Sequence, residues 1–435
     1  MSTLFSKPEL IPTTINLRPY QAVAVEAIRR EFRSGKRSTM IVHATGLGKT
    51  IIFSAIARRT VENGGRVLIL AHRDLLVKQA SDKLAMVGII AGIEKASSYA
   101  RALCDPDVVV ASVQTLKKER LATWPHDYFN LVITDECQHV ITPSYENVLS
   151  HFPRAYHLGV TATADRGDGK KLGKVYQSVA HEMNLWEAMV APHPGPYLSR
   201  IKFVQCDVDI DLKDIRTTAK DFNVADLAAR IGPMIEVLAN AIRQEVGSRK
   251  TIVFTPDVNS VIAMSSALQS LGLRADHIFD KDKGRKAKIE QFHRGEIQVM
   301  VNCEILTEGF DCPSVTAIVL CRPTKSRSLY SQMVGRGTRL APGKTDCLIV
   351  DFNYLTSKHD LVVPADIFGK LDDKVAAEAN RIARSSRGGV DMLDVVEQAK
   401  MNVKDREEKK ARLAFESAAR QRELDYHRVI YDPLF

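Results

Sequence analysis

The 435-residue chain is short of the features that mark several protein classes. Its seven cysteines are scattered, and no two form a C-x-x-C pair. That excludes a disulfide framework and leaves no zinc-ligand spacing. A reducing, cytoplasmic setting is therefore expected. No apolar run is long enough to span a bilayer, so no membrane partner is expected. Met1 to Pro8 lacks the basic-then-apolar order of a secretory leader. Internal repeats are absent, which excludes solenoids and arrays. What is present is ordinary for a globular chain of two or three domains: 45% hydrophobic and 26% charged residues. The formal net charge is +9. Residues 371–435 carry thirteen basic and thirteen acidic side chains, so the surplus lies in residues 1–370. A basic surplus favours an anionic partner without naming it.

One stretch concentrates the chemistry. Thr39-Met40-Ile41-Val42 reads as a buried strand and Ile51 to Arg59 as a helix. Between them lies His43-Ala44-Thr45-Gly46-Leu47-Gly48-Lys49-Thr50. Strand, glycine loop and helix form the context of a phosphate-binding loop. Gly46 and Gly48 let the backbone turn so that successive N–H groups face anionic oxygens. The helix start adds the positive end of its dipole. Lys49 is placed to reach the β- and γ-phosphates, and the Thr50 hydroxyl to bind Mg²⁺. The first glycine of G-x-x-x-x-G-K-[ST] is missing, because His43 occupies its position.

Upstream, Leu17-Arg18-Pro19-Tyr20-Gln21 opens an amphipathic helix to about Phe32. The Gln21 amide offers both a donor and an acceptor and can read adenine; the alternative is a plain surface residue. Downstream, four more apolar runs end in polar residues. They are 66–71 before His72-Arg73-Asp74, 108–111 before Ser112-Val113-Gln114-Thr115, 131–134 before Asp135-Glu136-Cys137-Gln138, and 156–160 before Thr161-Ala162-Thr163. Strands alternating with helices predict a parallel α/β sheet, which binds ligands at the C-terminal ends of its strands. Asp135 can hold Mg²⁺ through water, and Glu136 can orient or deprotonate an attacking water. The alternative is a solvated acidic turn.

The stretch 187–235 reads as a linker and hairpin. Ala191 to Pro196 is too proline-rich for regular structure, 201–212 alternates as a strand or hairpin, and 224–243 reads as helix. A second α/β series follows without a phosphate loop: strands at 250–255, 274–279, 298–301 and 317–320, helices at 257–271 and 283–294. Gln332 to Arg339 is expected on or beside a helix, with Arg336 and Arg339 on one face. Such guanidinium groups can reach a γ-phosphate held by the first half, or serve a basic face for nucleic acid. From Leu371 onward two helices are expected, split at Gly388-Gly389, with a mixed-charge face.

Taken in order, these stretches resemble superfamily 2 helicases of the DEAD/DEAH-box type over about residues 17–345. Arg18 to Gln21 resembles the Q motif, His43 to Thr50 motif I, and Ala71-His72-Arg73 motif Ia. Ser112 to Thr115 resembles motif Ib, Asp135 to Gln138 motif II, Thr161 to Thr163 motif III, and Ile252 to Thr255 motif IV. Thr307-Glu308-Gly309-Phe310-Asp311 resembles motif V and Gln332 to Arg339 motif VI. Arg322 to Tyr330 leading into Gly335-Arg336-Gly337 is similar to the RadD-like and XPB-like DNA group.

The resemblance implies two tandem RecA-like parallel-sheet lobes with a C-terminal helical extension. The expected boundaries are 1–186 for lobe 1, 187–235 for the linker, 236–368 for lobe 2 and 369–435 for the helical region. It implies ATP and Mg²⁺ as cofactors. Catalysis would fall to Lys49, Asp135, Glu136, Gln332, Arg336 and Arg339. Nucleotide contacts would come from Arg18, Gln21, Thr45, Gly46, Leu47, Gly48, Lys49, Thr50, Gly309 and Asp311, with the metal on Thr50 and Asp135. Coupling would pass through Gln138, Thr161 and Thr163. Nucleic acid would meet His72, Arg73, Ser112, Gln114, Thr115, Thr255, Thr307 and Arg322. Gln138 departs from the usual His or Asp, and no cysteine cluster follows motif VI as it does in RadD-like chains. Nothing resembles a nuclease or methylase module. The expectation is an ATP-dependent DNA helicase or translocase, with DNA favoured over RNA and a protein partner for the C-terminal helices. The alternatives are an ATPase subunit that remodels a complex, an RNA helicase, and a nucleotide-binding protein without turnover.

Overall fold

The computed structural model describes residues 16–71, 74–95, 98–100, 105–162, 172–218, 221–307, 310–355, 361–362, 364–369, 371–386 and 388–430. Two seven-stranded sheets organise them. The first contains β1 (Ser38–His43), β2 (Val67–Ala71), β3 (Gly92–Glu94), β4 (Val108–Ser112), β5 (Leu131–Asp135), β6 (Tyr156–Thr161) and β7 (Val179–Met183). Its order is β3-β4-β2-β5-β6-β1-β7, and every pairing is parallel. Helices α1 (Pro19–Arg33), α2 (Lys49–Glu62), α3 (Asp74–Met86), the short α4 (Lys118–Leu121) and α5 (Pro143–His151) flank it. Both faces are covered, which is why the strands read as unbroken apolar runs. The pleat divides them. Val67, Ile69 and Ala71 of β2 pack with Phe53 of α2 and Val77 of α3. Leu68 and Leu70 face Phe129, Tyr145 and Phe152.

The linker helix α6 (Leu185–Val190) leads into the second sheet. That sheet holds β8 (Arg200–Asp211), β9 (Thr251–Phe254), β10 (Ala275–Ile278), β11 (Val299–Asn302), β12 (Ala317–Leu320), β13 (Asp346–Leu355) and β14 (Val390–Asp391). The order is β10-β11-β9-β12-β13-β8-β14. All pairs are parallel except β14 with β8. Its helices are α7 (Val224–Ile231), α8 (Ile235–Val246), α9 (Val258–Ser270), α10 (Arg285–Arg294) and α11 (Arg327–Gly335). The tail forms α12 (Asp373–Ser385) and α13 (Met392–Ile430).

Three expectations need correction. The stretch read as linker and hairpin supplies β8, a long strand paired with β13 from Asp346↔Arg200 to Leu355↔Asp211. The second sheet therefore begins at Arg200 rather than at 236, and it includes β13, whose apolar run Cys347-Leu348-Ile349-Val350 between Asp346 and Asp351 the sequence reading passed over. The helix expected over 224–243 is two helices joined by a 3₁₀ turn at Gly232–Met234, where Pro233 offers no N–H to continue the ladder. Helix α11 stops at Gly335, with Arg336 as its C-cap and Arg339 beyond it, so the two arginines do not share a helix face.

The two sheets are joined by a common apolar core. Leu185, Ala188 and Met189 of α6, with Tyr197 and Leu198, pack with Tyr20, Ala44 and Leu47 of the first lobe and with Tyr330, Met333 and Val334 of α11. The linker is thus a packed wedge that brings α11 up to the glycine loop.

Candidate active site

The glycine loop has the conformation its residues allow. Gly46 and Gly48 sit at φ 95° and 68°, in the left-handed region that a side chain disfavours. Gly48 is the N-cap of α2, so the helix starts at Lys49. Lys49 Nζ donates to the His43 carbonyl at 3.1 Å. Burial pushes its ammonium below the ordinary lysine range, while Glu136 and Asp135 hold it up. His43, in the place of the usual glycine, is fully buried, and its Nε2 lies 2.8 Å from His181 Nδ1 on β7. Burial holds the His43 imidazole down at about 3, so it stays neutral.

The Gln21 amide faces the loop. Its Nε2 donates to the Leu47 carbonyl at 3.2 Å, and its Oε1 accepts from the Arg18 N–H at 3.0 Å. The Tyr20 hydroxyl donates to the same carbonyl at 2.7 Å. Tyr197 of the linker packs on Tyr20 with ring centroids 4.4 Å apart. Sequence reasoning singled out neither tyrosine. Tyr20 lay in plain view inside Arg18-Pro19-Tyr20-Gln21, whereas nothing in the sequence marks Tyr197.

Asp135 ends β5, and its Oδ1 accepts from the Glu136 N–H at 3.0 Å. Glu136 is held at φ 50°, one of two non-glycine residues with positive φ among those described. Its Oε2 accepts from Gln138 Nε2 at 2.9 Å, and Gln138 Oε1 accepts from the Thr161 hydroxyl at 2.6 Å. The unusual Gln138 thus uses both ends of its amide to tie Glu136 to the end of β6, within the first lobe. Thr163, also expected in this chain, lies outside the described residues.

Across the cleft, Arg336 is buried, and its guanidinium donates to the carbonyls of Thr307 (2.6 and 3.1 Å) and Phe310 (2.7 Å). Arg339 donates to the Phe310 carbonyl at 2.9 Å and pairs with Asp311 at 3.1 Å. Burial lowers the Arg339 pKa and Asp311 raises it. Gln332 is buried on α11. The approach of the lobes is close: a Cβ added to Gly335 would lie 2.4 Å from Thr45 Cβ. A cleft of about 320 Å³ is lined by Thr45, Gly46, Gly48, Lys49 and Thr50, by Asp135 and Glu136, and by Asp311, Arg336 and Arg339. That size suits a small-molecule ligand. Leu47 instead points into the shared core, and Gly309 lies outside the described residues.

The residues expected to grip nucleic acid are mostly closed off. Thr255 and Thr307 are buried, their hydroxyls donating to the carbonyls of Asn302 (3.5 Å) and Glu304. Arg322 is buried and paired with Glu304 at 2.9 Å. Ser112 is buried against Gln114. Gln114 is exposed and Thr115 half-buried. His72 and Arg73 lie outside the described residues. Polar side chains at strand ends here largely close the turns that follow, a use the sequence pattern does not separate from ligand binding.

A phosphate loop and a metal-type acid on one parallel-sheet lobe, faced by arginines from a second, define a two-lobed P-loop nucleotide-binding protein. Residues 14–166 match the family of the type III restriction enzyme res subunit, and residues 233–341 match the helicase conserved C-terminal domain. The chain belongs to the superfamily 2 helicases. It is 34% identical to IRC3 of Saccharomyces cerevisiae, assigned as an ATP-dependent helicase, over 82% of this chain and 54% of that one. Its likeness to Schizosaccharomyces pombe irc3, assigned as a mitochondrial ATP-dependent helicase, is 31% over 85% of this chain and 63% of that one. The chain thus spans between half and two thirds of the length of these relatives. It is 24% identical to the DNA 3′-5′ translocase XPB2 of Sulfurisphaera tokodaii, over 75% of this chain and 79% of that one. Among solved structures, a fragment of a type I restriction enzyme HsdR subunit from Vibrio vulnificus shares the fold, with a TM-score of 0.60 at 22% identity, over 80% of this chain and 70% of that one.

Proposed function

We propose that the chain is an ATP hydrolase that uses the cycle of its two lobes to move along DNA or unwind it. The observation that carries this reading is the single cleft lined by the phosphate loop, Asp135 and Glu136 from one lobe and by Arg336 and Arg339 from the other. In it Lys49 and the loop N–H groups bind the phosphates, Glu136 orients and deprotonates the water, and Arg339 stabilises charge on the transferring phosphoryl group. The Thr50 hydroxyl and the Asp135 carboxylate are hard oxygen donors that fit Mg²⁺. Bound there, Mg²⁺ would neutralise phosphate charge. Gln21 and Tyr20 hold the loop from behind.

DNA is favoured over RNA by the Arg322 to Arg339 stretch, and a relative named as a DNA translocase supports it. The basic surplus supports an anionic track. Because the chain matches only part of the two yeast proteins, a second reading stands beside the first: a motor subunit that works inside a larger assembly. It is favoured by α13, whose residues 404–422 are all exposed. The six described cysteines are free. No described helix is long and apolar enough to cross a membrane.

The test compares ATP turnover with single-stranded, duplex and forked DNA and with RNA, in wild type and Lys49→Ala. Stimulation by DNA that Lys49→Ala abolishes is the expected outcome. Stimulation by RNA alone would replace the substrate, and turnover surviving in Lys49→Ala would remove the site.

A further inference from the structure

Lys83 lies on α3, outside every motif named above, yet it lines the same cleft as Lys49, Asp135 and Glu136. Its ammonium is 4.0 Å from Asp311 Oδ2, across the boundary between the lobes. Asp311 Oδ1 is held more tightly by Arg339, at 3.1 Å. One carboxylate on lobe 2 is therefore shared by a cation from each lobe. The longer of the two contacts belongs to Lys83, whose side chain remains 35% exposed.

The surroundings give that ammonium a reason to prefer a second anion. Burial lowers the Lys83 pKa and Asp311 raises it, while the Arg339 and Arg336 guanidiniums lower it again. Asp311 must serve both Lys83 and Arg339, and a single negative charge does not balance two positive ones. A triphosphate carries its extra charge at the terminal phosphate, which is what separates it from a diphosphate. A flexible four-carbon stem suits an ammonium that changes partner.

We propose that Lys83 is a phosphate-binding cation of this site, supplied by α3 rather than by the glycine loop, which exchanges Asp311 for the terminal phosphate of a nucleoside triphosphate. The consequence is discrimination: Lys83 strengthens binding of the triphosphate and leaves the diphosphate nearly unaffected. As Lys83 turns to phosphate, Asp311 is left wholly to Arg339, so nucleotide binding in lobe 1 is felt directly in lobe 2. The inference rests on the reading of the cleft as an ATP site.

The experiment measures affinities of the full chain for ADP and for a β,γ-imido analogue of ATP by displacement of a fluorescent nucleotide. Wild type, Lys83→Met, Lys83→Arg and Lys49→Ala are compared. Losing one charge-assisted phosphate contact should weaken the triphosphate analogue by about tenfold or more in Lys83→Met. ADP should stay within about twofold of wild type, since the contact is made only to the terminal phosphate. Lys83→Arg, which keeps the charge, should recover most of the difference. Equal weakening of both nucleotides, or no weakening of either, overturns the proposal. If Lys83→Met does not fold, Lys83→Gln, which removes the charge but keeps a polar side chain, carries the same test with the same two outcomes. If Lys49→Ala binds both nucleotides as wild type does, the ATP site itself is misplaced. If it loses both while the Lys83 variants show no discrimination, only the role of Lys83 falls.

Discussion

Glu136 combines two properties that seldom coincide in a residue kept only for structure. Its backbone is held at φ 50°, which costs a non-glycine residue on the order of 1 kcal/mol or more. Its carboxylate is oriented by Gln138, which is itself held by Thr161. A strained residue with a fixed side chain, beside the metal-type Asp135 and in the cleft, is what a positioned base requires. Glu136→Gln keeps the shape but cannot take a proton, so it should bind ATP with near wild-type affinity and turn over about 10²–10⁴-fold more slowly. Normal turnover in that variant would assign the base elsewhere. Asp351 makes a different, testable statement. It sits in the middle of β13 beside Tyr330 and Tyr354, and burial pushes its carboxyl up to about 7. The unfolded carboxyl titrates near about 3.9. Between those values the folded state holds more protons than the unfolded one, so this group's contribution to stability is full below about 4 and is lost as pH rises toward about 7. Asp351→Asn removes that dependence. Thermal melting should show the variant gaining on wild type at pH 8 relative to pH 5, and an equal difference at both pH values would refute the assignment.

At the scale of elements, α11 decides how near the lobes come. Its last residue, Gly335, has no side chain where a Cβ would meet Thr45 at 2.4 Å. Within a helix, alanine is preferred over glycine by about 1 kcal/mol. Gly335→Ala should still lower the melting temperature, since an overlap with the Thr45 Cβ outweighs a helix gain that is smallest at the last residue. ATP turnover should fall by about tenfold or more because the arginines can no longer approach. Turnover equal to wild type would show that this approach is not needed. The same region marks the boundary of what the sequence discloses. The glycine loop, the acids after β5 and five strands of the first sheet were legible because buried parallel strands are apolar throughout and the polar groups begin where they end. The second sheet was less legible. β13 went unread although its run 347–350 is apolar; Asp346 just before it is drawn into the sheet by Lys202 and Arg249. β8 alternates because its partner β14 is only a two-residue strand, so one end of it reads as a hairpin would. Arg322 read as a free cation because its partner Glu304 is 18 residues away in sequence. Lys83 and Tyr197 were silent, since each meets the site through packing between lobes rather than through a local motif.

For the whole molecule, each lobe holds an incomplete set of groups. Lobe 1 has the loop, Thr50, Asp135 and Glu136; lobe 2 has Arg336 and Arg339. The linker core of Leu185, Met189, Tyr197 and Leu198 keeps them facing each other. Hydrolysis then depends on how closely the lobes pack, and a DNA strand lying across both would favour the closer arrangement. Of the two arginines, Arg336 is committed to the carbonyls of Thr307 and Phe310, which makes it a brace for that loop. Arg339 gives one N–H to Phe310 and otherwise faces Asp311 in the cleft, so it is the better candidate for the charge that develops on the phosphoryl group. Arg339→Ala should leave ATP affinity within a few-fold, because the loop and Lys49 are untouched. It should remove most DNA-stimulated turnover, since an arginine of this kind is worth about 10³–10⁵ in rate. Arg336→Ala should instead lower the melting temperature, since it removes both N–H donors to the buried Thr307 carbonyl and leaves the Phe310 carbonyl with Arg339 alone. DNA binding itself should weaken steeply with salt in both variants and in wild type, because phosphate contacts dominate the grip. The measurement is ATP affinity, stimulated turnover and melting on the three proteins at two salt concentrations. If Arg339→Ala kept its stimulation, the second lobe would not complete the site, and lobe closure could not be what couples ATP to movement.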